Sequence, residues 1–166
     1  MKVETTRFGA VDIAEDRFIT FSDGLPGFPG KRYVLLHDER NELVQWLQSA
    51  EDPDVALLLM DPLVLRADYA VTPKPDELRP IEPGDAPEDN VVCRVIVRSA
   101  ERPQELYVNF FGPVLFNVER RLAMQLPLVG SAYGVREIWP EPPEKTRAAE
   151  PSAPPAPAPK GATPAR

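Results

Sequence analysis

The sequence predicts a mostly β protein: an antiparallel barrel or sandwich in a single domain, with one or two short helices and a disordered Ala/Pro-rich C-terminal tail. Three observations carry that reading. Apolar residues recur mostly at a spacing of two, the runs they form are short and come about every ten residues, and turn-forming residues divide them. Closed or sandwiched antiparallel sheets are the architectures that absorb many short strands.

Taken in order, residues 11–13 and 17–21 read as short strands around the turn Ala14-Glu15-Asp16. The run Gly24-Leu25-Pro26-Gly27-Phe28 follows. Proline at the second turn position and glycine at the third is type II chemistry, because the third position needs a positive φ. Leu25 and Phe28 are expected to anchor that turn in the core. Further strands are expected over residues 33–36, 43–47, 55–60, 91–97, 106–109, 114–118 and 122–128. The unbroken apolar run at 55–60 reads as a central strand covered on both faces. Pro127 lacks a ladder donor and marks an edge or a bulge. Helix is scarce: residues 62–69 predict one short helix, with Asp61 as N-cap and Pro62 in the first helical position. Residues 72–90 read as a long connection rich in proline and acids.

The folded unit is expected to span residues 1–140. Over residues 141–166, Pro142, Pro143, Pro151, Pro154, Pro155, Pro157, Pro159 and Pro164 alternate with alanine and a few charges, and no large apolar residue occurs. Such a segment cannot bury enough surface to offset its ordering entropy, so disorder is expected there. The net charge of −7 over 166 residues is concentrated in the folded unit. An acidic body repels phosphate backbones, which argues against direct nucleic-acid binding and favours a basic protein partner. No signal-like N-terminus and no apolar run of spanning length occurs, so a cytoplasmic protein without membrane contact is expected.

Candidate chemistry is sparse. The single cysteine, Cys93, excludes an internal disulfide and sits in an alternating strand pattern as a small core residue. The single histidine, His37, follows an apolar strand with no ligand beside it. Gly130-Ser131-Ala132-Tyr133-Gly134 is not a nucleophile elbow, because its serine directly follows the first glycine. Glu51, Asp52 and Asp54 form an acidic turn in which nothing singles out a hydrolytic pair. No catalytic residue, cofactor or metal is expected.

What remains resembles protein-binding surface. Trp46-Leu47-Gln48-Ser49 ends a strand with two polar side chains at its rim, before the acidic turn. Trp46 reads either as core or as an interface anchor. Asn109-Phe110-Phe111-Gly112-Pro113-Val114-Leu115-Phe116-Asn117 reads as strand, sharp corner, strand, since proline cannot extend a ladder. The amides of Asn109 and Asn117 either lock this corner or line a docking surface.

Together these motifs resemble the family of flagellar assembly factors called FliW. The matching residues are Gly24-Leu25-Pro26-Gly27-Phe28, Leu47-Gln48-Ser49, Pro62 followed by Asp68-Tyr69, Asn109 with Gly112-Pro113 and Asn117, and Gln125. The match covers about residues 2–136. Gly112 stands where the family usually has alanine, a change expected to matter little. A glycine expected between Glu119 and Gln125 is absent, and the tail lies outside the resemblance. The resemblance implies a small, compact antiparallel β-barrel-like single domain without enzymatic activity. It would bind the RNA-binding translational repressor CsrA away from the RNA-contacting surface and so relieve repression of flagellin translation. It would also bind flagellin, in a mutually regulating cycle. The alternative is a flagellin-specific cytosolic chaperone that touches no regulator. Partner contacts are expected at Gln48, Ser49, Asn109 and Asn117, with electrostatic help from Asp85, Glu88 and Asp89.

Overall fold

The computed structural model describes residues 1–141, so the tail expected at 141–166 lies outside the described residues apart from Glu141. Two strands, β1 (Lys2–Thr5) and β2 (Gly9–Asp12), form a separate antiparallel ribbon at the N-terminus. The remaining nine strands make one sheet: β3 (Phe18–Phe21), β4 (Arg32–His37), β5 (Val44–Ser49), β6 (Ala56–Met60), β7 (Val91–Ser99), β8 (Leu106–Val108), β9 (Val114–Asn117), β10 (Leu122–Gln125) and β11 (Glu137–Trp139).

Seven of them close into a ring, in the order β7, β6, β5, β4, β3, β10, β9 and back to β7. Closure depends on the length of β7. One of its edges takes β6 through Val95–Val97, while the other takes β9 through Val91–Arg94 and then β8 through Val97–Ser99. Strands β8 and β11 therefore leave the ring as a two-stranded wing. The ring removes the unpaired edges that an open sheet of this length would present. Every pairing is antiparallel except β3 with β10, where Leu122 faces Thr20 and Ala123 faces Phe21 in parallel. That parallel seam is the one departure from the expected antiparallel barrel.

Alternation along the strands sends Ile19, Phe21, Tyr33, Leu47, Leu59, Val114, Phe116 and Ala123 into the ring. Phe21 meets Tyr33 and Phe116 edge to face, with centroids 5.1 and 6.3 Å away. Full burial of each such side chain contributes about 1.5–3 kcal/mol. Two flanking layers cover the outside. The ribbon and the 3₁₀ turn Glu15–Arg17 place Val3 and Ile13 against Phe18 and Val34. Helix α1 (Pro62–Leu65) and the wing cover Val44, Met60, Val95 and Val97.

Several expectations are revised. The helix expected over 62–69 stops at Leu65; Asp61 caps it as expected, accepting from Leu63 N at 2.9 Å. Beyond it the chain extends at Arg66, which lets Tyr69 bury its ring and donate its hydroxyl to Phe110 O at 2.7 Å. Residues 72–90 are not a bare loop. A 3₁₀ segment, Pro75–Ile81, buries Leu78 and Ile81 against Leu115 and Leu126, and α2 (Pro87–Asn90) leads into β7. The turn at Leu25-Pro26-Gly27-Phe28 has Gly27 at φ 85 and Phe28 N donating to Leu25 O at 3.0 Å. Leu25 is buried there as expected, whereas Phe28, expected as a second core anchor, is 36% exposed. Strand β10 ends at Gln125, and Pro127 falls between two donors, Leu126 N to Pro113 O and Leu128 N to Phe111 O.

Candidate protein-interaction site

The residues singled out from sequence fall into separate places. Because β5 and β6 run antiparallel with Val44 opposite Met60 and Gln48 opposite Ala56, Ser49 and the acidic turn lie at one end of the ring. Met60 faces Val95, so Val91 and its partner Asn117 lie toward the other end.

At the first end, Gln48 and Ser49 are fully buried, which corrects the expectation of polar side chains on a rim. Gln48 faces outward from the ring, opposite Val34, which packs against Val3, Ile13 and Phe18. Its Nε2 donates to the carbonyls of Ser49 (3.0 Å), Asp52 (3.3 Å) and Pro53 (3.4 Å). Three acceptors around one terminus fix the orientation of the amide. Its Oε1 is buried without a partner. Ser49 Oγ accepts from Glu51 N (3.1 Å) and Asp52 N (3.0 Å). Both residues therefore hold the turn 51–54. Its acids are committed as well: Glu51 accepts from Lys31 N, Asp52 from Asp54 N, and Asp54 from the Thr6 hydroxyl. Burial, reinforced by Glu51 and Asp52, raises the Tyr33 hydroxyl above its ordinary pKa.

Trp46 takes neither extreme. It lies half-buried on the outer face, donates Nε1 to Asp38 at 3.2 Å, and carries the Arg7 guanidinium 4.0 Å above its ring. The backbone bond from Arg40, with the Trp46 bond second, lowers the Asp38 carboxyl.

The corner between β8 and β9 is gripped from both sides. Asn109 Oδ1 accepts from Gly112 N at 2.9 Å, and Gln125 Nε2 donates to Gly112 O at 2.9 Å. A Cβ at Gly112 would lie 2.8 Å from Gln125 Nε2 and 3.2 Å from Asn109 Nδ2. Both contacts are the ends of flexible side chains, and Gly112 has no left-handed φ, so an alanine here asks only that the two amides shift. Asn109 itself is half-buried.

Asn117 is buried and saturated. Its Nδ2 donates to Ile81 O and Glu82 O, each at 2.9 Å, and its Oδ1 accepts from Glu119 N (3.1 Å) and Arg120 N (3.0 Å). One amide thus ties the 3₁₀ segment to β9 and caps the turn that follows. In that turn, just before the Leu122-Ala123 pair that stands where a glycine was expected, Arg121 adopts φ 56, a left-handed conformation that a glycine would hold without strain.

Near Asn117 the acids Asp85, Glu88 and Asp89 are exposed, on or just before α2. A groove of about 260 Å³ lies between α1 and β7, with Leu63, Val71 and Cys93 among its walls. Burial pushes the Cys93 thiol up to about 12, which leaves it protonated and unreactive near neutrality. Sequence reasoning missed this groove, because in a helix as short as α1 the pattern does not tell which side Leu63 faces. Among the described residues no cluster of three or more His, Cys, Asp or Glu is placed to hold a metal, and no helix is long and apolar enough to cross a membrane.

Known proteins match this arrangement. The family model described as FliW protein matches residues 2–138. A flagellar assembly factor FliW from Geobacter sulfurreducens is 39% identical over 133 residues, covering 80% of this chain and 82% of that protein. One from Geotalea uraniireducens is 34% identical over 145 residues, covering 87% and 88%. A crystal structure of the flagellar assembly factor FliW superposes with a TM-score of 0.75 at 27% identity, over 82% of this chain and 95% of that one. With the ring, the Asn117 clasp and the gripped corner all inside the matched span, the chain belongs to the FliW family of flagellar assembly factors.

Proposed function

We propose that this chain is a cytoplasmic, non-enzymatic antagonist of the RNA-binding translational repressor CsrA, and that it also binds flagellin. The observation that carries the reading is an exposed acidic surface on a FliW-family chain of net charge −7. Asp85, Glu88 and Asp89 all face solvent near the 3₁₀ segment that Asn117 holds. A repressor that grips RNA carries basic surface, so this face steers it in and, once docked, disfavours RNA nearby. Gln48, Ser49 and Asn117 contribute through the loops they hold, while half-buried Asn109 keeps part of its side chain within a partner's reach.

The test is a titration of purified protein into a CsrA–RNA complex, with and without flagellin. RNA release that flagellin suppresses is the expected result. Flagellin binding with no RNA release would instead support a chaperone that touches no regulator. Charge reversal at Asp85, Glu88 and Asp89 is expected to flatten the salt dependence of the association rate; an unchanged slope would remove these acids from the mechanism.

A further inference from the structure

The ring leaves one stretch of backbone edge unfilled, and it lies along the groove beside α1. Strand β7 runs from Val91 to Ser99, but β6 covers its edge only from Val95 to Val97. Val118 N donates to Asn90 O and Asn109 N to Ile96 O, each at 3.0 Å, so even-numbered residues here turn their backbone groups toward β9 and β8. Alternation turns those of Val91 and Cys93 to the opposite edge, where β6 would continue. The register that sets Met60 against Val95 would set Pro62 against Cys93. Pro62 has no N–H to give, and its carbonyl is taken by Arg66 N at 2.8 Å as α1 turns away.

Only part of the gap is filled from within. Arg94 Nη1 donates to Cys93 O at 2.8 Å, where a strand N–H would stand, and Val91 N donates to Pro87 O of α2. Among the described residues, Cys93 N and Val91 O have no hydrogen-bond partner. Buried backbone groups are paired in nearly all folded chains, and a row of free ones on a sheet edge is a template for another strand.

The groove follows this edge. Asp61, Leu63, Val71, Cys93 and Arg94 are among its walls, and its volume is about 260 Å³. Helix α1 is pinned beside it, since Trp139 Nε1 donates to Leu65 O at 2.8 Å, while Leu63 stays 56% exposed. The two wall charges differ in their commitments. Asp61 caps α1 through Leu63 N, whereas the Arg94 guanidinium bonds only neutral oxygens, those of Cys93 and Gln45. An uncompensated guanidinium in a partly apolar groove favours a carboxylate on whatever enters.

We infer that the β7 edge at residues 91–93 takes up an extended segment of another protein as an added strand, one that carries a large apolar side chain next to a carboxylate. Its N–H groups donate to Val91 O and Cys93 O, and its carbonyl accepts from Cys93 N. The apolar side chain lies against Leu63 and Val71, and the carboxylate draws Arg94 off Cys93 O. Main-chain bonds supply affinity in such strand addition, and the flanking side chains supply selectivity.

The experiment pans a phage library of random heptapeptides on the full chain, then follows amide hydrogen exchange with the recovered peptides made synthetically. In the free chain the Cys93 amide is expected to exchange about a hundredfold faster than that of Val95, which β6 pairs. Equal protection would mean that the edge is already filled and would overturn the proposal. Recovered peptides are expected to join an apolar residue to Asp or Glu and to slow exchange at Cys93. In variants with unchanged melting transitions, Leu63→Asp is expected to weaken their binding about tenfold. Arg94→Gln should weaken it about fivefold, and leave the Asn or Gln forms of the same peptides unaffected. Val129→Asp, at a position 86% exposed and outside the groove wall, should change it less than about twofold. Recovery of no peptide, or of peptides that leave exchange at Cys93 unchanged, would overturn the proposal. Protection of Cys93 that grows with protein concentration alone would overturn the foreign occupant in favour of a second copy of this chain.

Discussion

The two ends of the ring invert the usual relation between polarity and exposure. At one end Gln48 and Ser49 are polar, buried and occupied with backbone groups of the turn 51–54. At the other, Leu63 and Val64 are apolar and exposed, on a helix that the aromatic residues behind it hold still. Asn117, near that second end, behaves like the first pair: its buried amide is fully spent on backbone groups. The difference teaches that a polar motif residue in a closed ring is a clasp when neighbouring loops offer unpaired backbone groups. Exposed apolar surface instead arises where a short, pinned helix has no second layer above it.

The largest effect expected on this contrast is chemical. With the Cys93 thiol raised from 9.0 to about 12 by burial, alkylation of the folded chain at pH 9 should be several-hundred-fold slower than in urea. Equal rates would mean that the groove floor is open to water. The linked stability has a definite sign. A raised folded-state pKa means the contribution is fully present below pH 9 and is lost as pH rises toward about 12. Denaturant midpoints should fall across that window, and less steeply in Cys93→Ala.

Next in size is Asn117→Ala, which strips two donors and two acceptors of one buried partner. A loss of about 3 kcal/mol in urea unfolding is expected. A variant of full stability that no longer binds its partners would make Asn117 a contact and abolish the contrast. Gln48→Ala should cost about 2 kcal/mol, since three carbonyls lose a shared donor while one unpartnered oxygen disappears. Arg121→Gly should raise stability by about 0.5 kcal/mol, the relief of left-handed strain being offset in part by glycine's greater unfolded-state freedom. The smallest change belongs to the groove: Leu63→Asp should alter stability by less than about 0.5 kcal/mol, because the side chain it replaces faces water.

Much of this was legible from the chain. Period-two alternation located nine of the eleven strands to within a few residues. Asp61 and Pro62 marked the start of α1, and Gly27 marked the turn that needs a positive φ. The strands it missed carry weak patterns: Lys2–Thr5 buries only Val3 and Thr5, and Glu137–Trp139 is three residues long, with none fully buried. The site was less legible. Gln48, Ser49, Asn109 and Asn117 stood out correctly as residues that ordinary core packing does not explain. Gln48 and Ser49 were expected on a rim and are buried, whereas for Asn109 and Asn117 the hydrogen bonds match the corner-locking alternative, because burial of a hydrophilic side chain depends on which loop folds over it. The Pro75–Ile81 segment covers β9 through contacts tens of residues apart in sequence, and the turn 51–54 closes over Gln48.

By itself the sequence determined the strand-rich class, the turn chemistry, the acidic balance and the family, all of which rest on local patterns and composition. Only the tertiary structure decided which residues face water. The two edges of β7 are shared among three partners, the parallel seam of β3 with β10 closes the ring, and α1 settles with one side inward. Those are long-range choices, stabilised jointly by apolar burial and by the pairing of backbone groups, and no local stretch of residues encodes them alone.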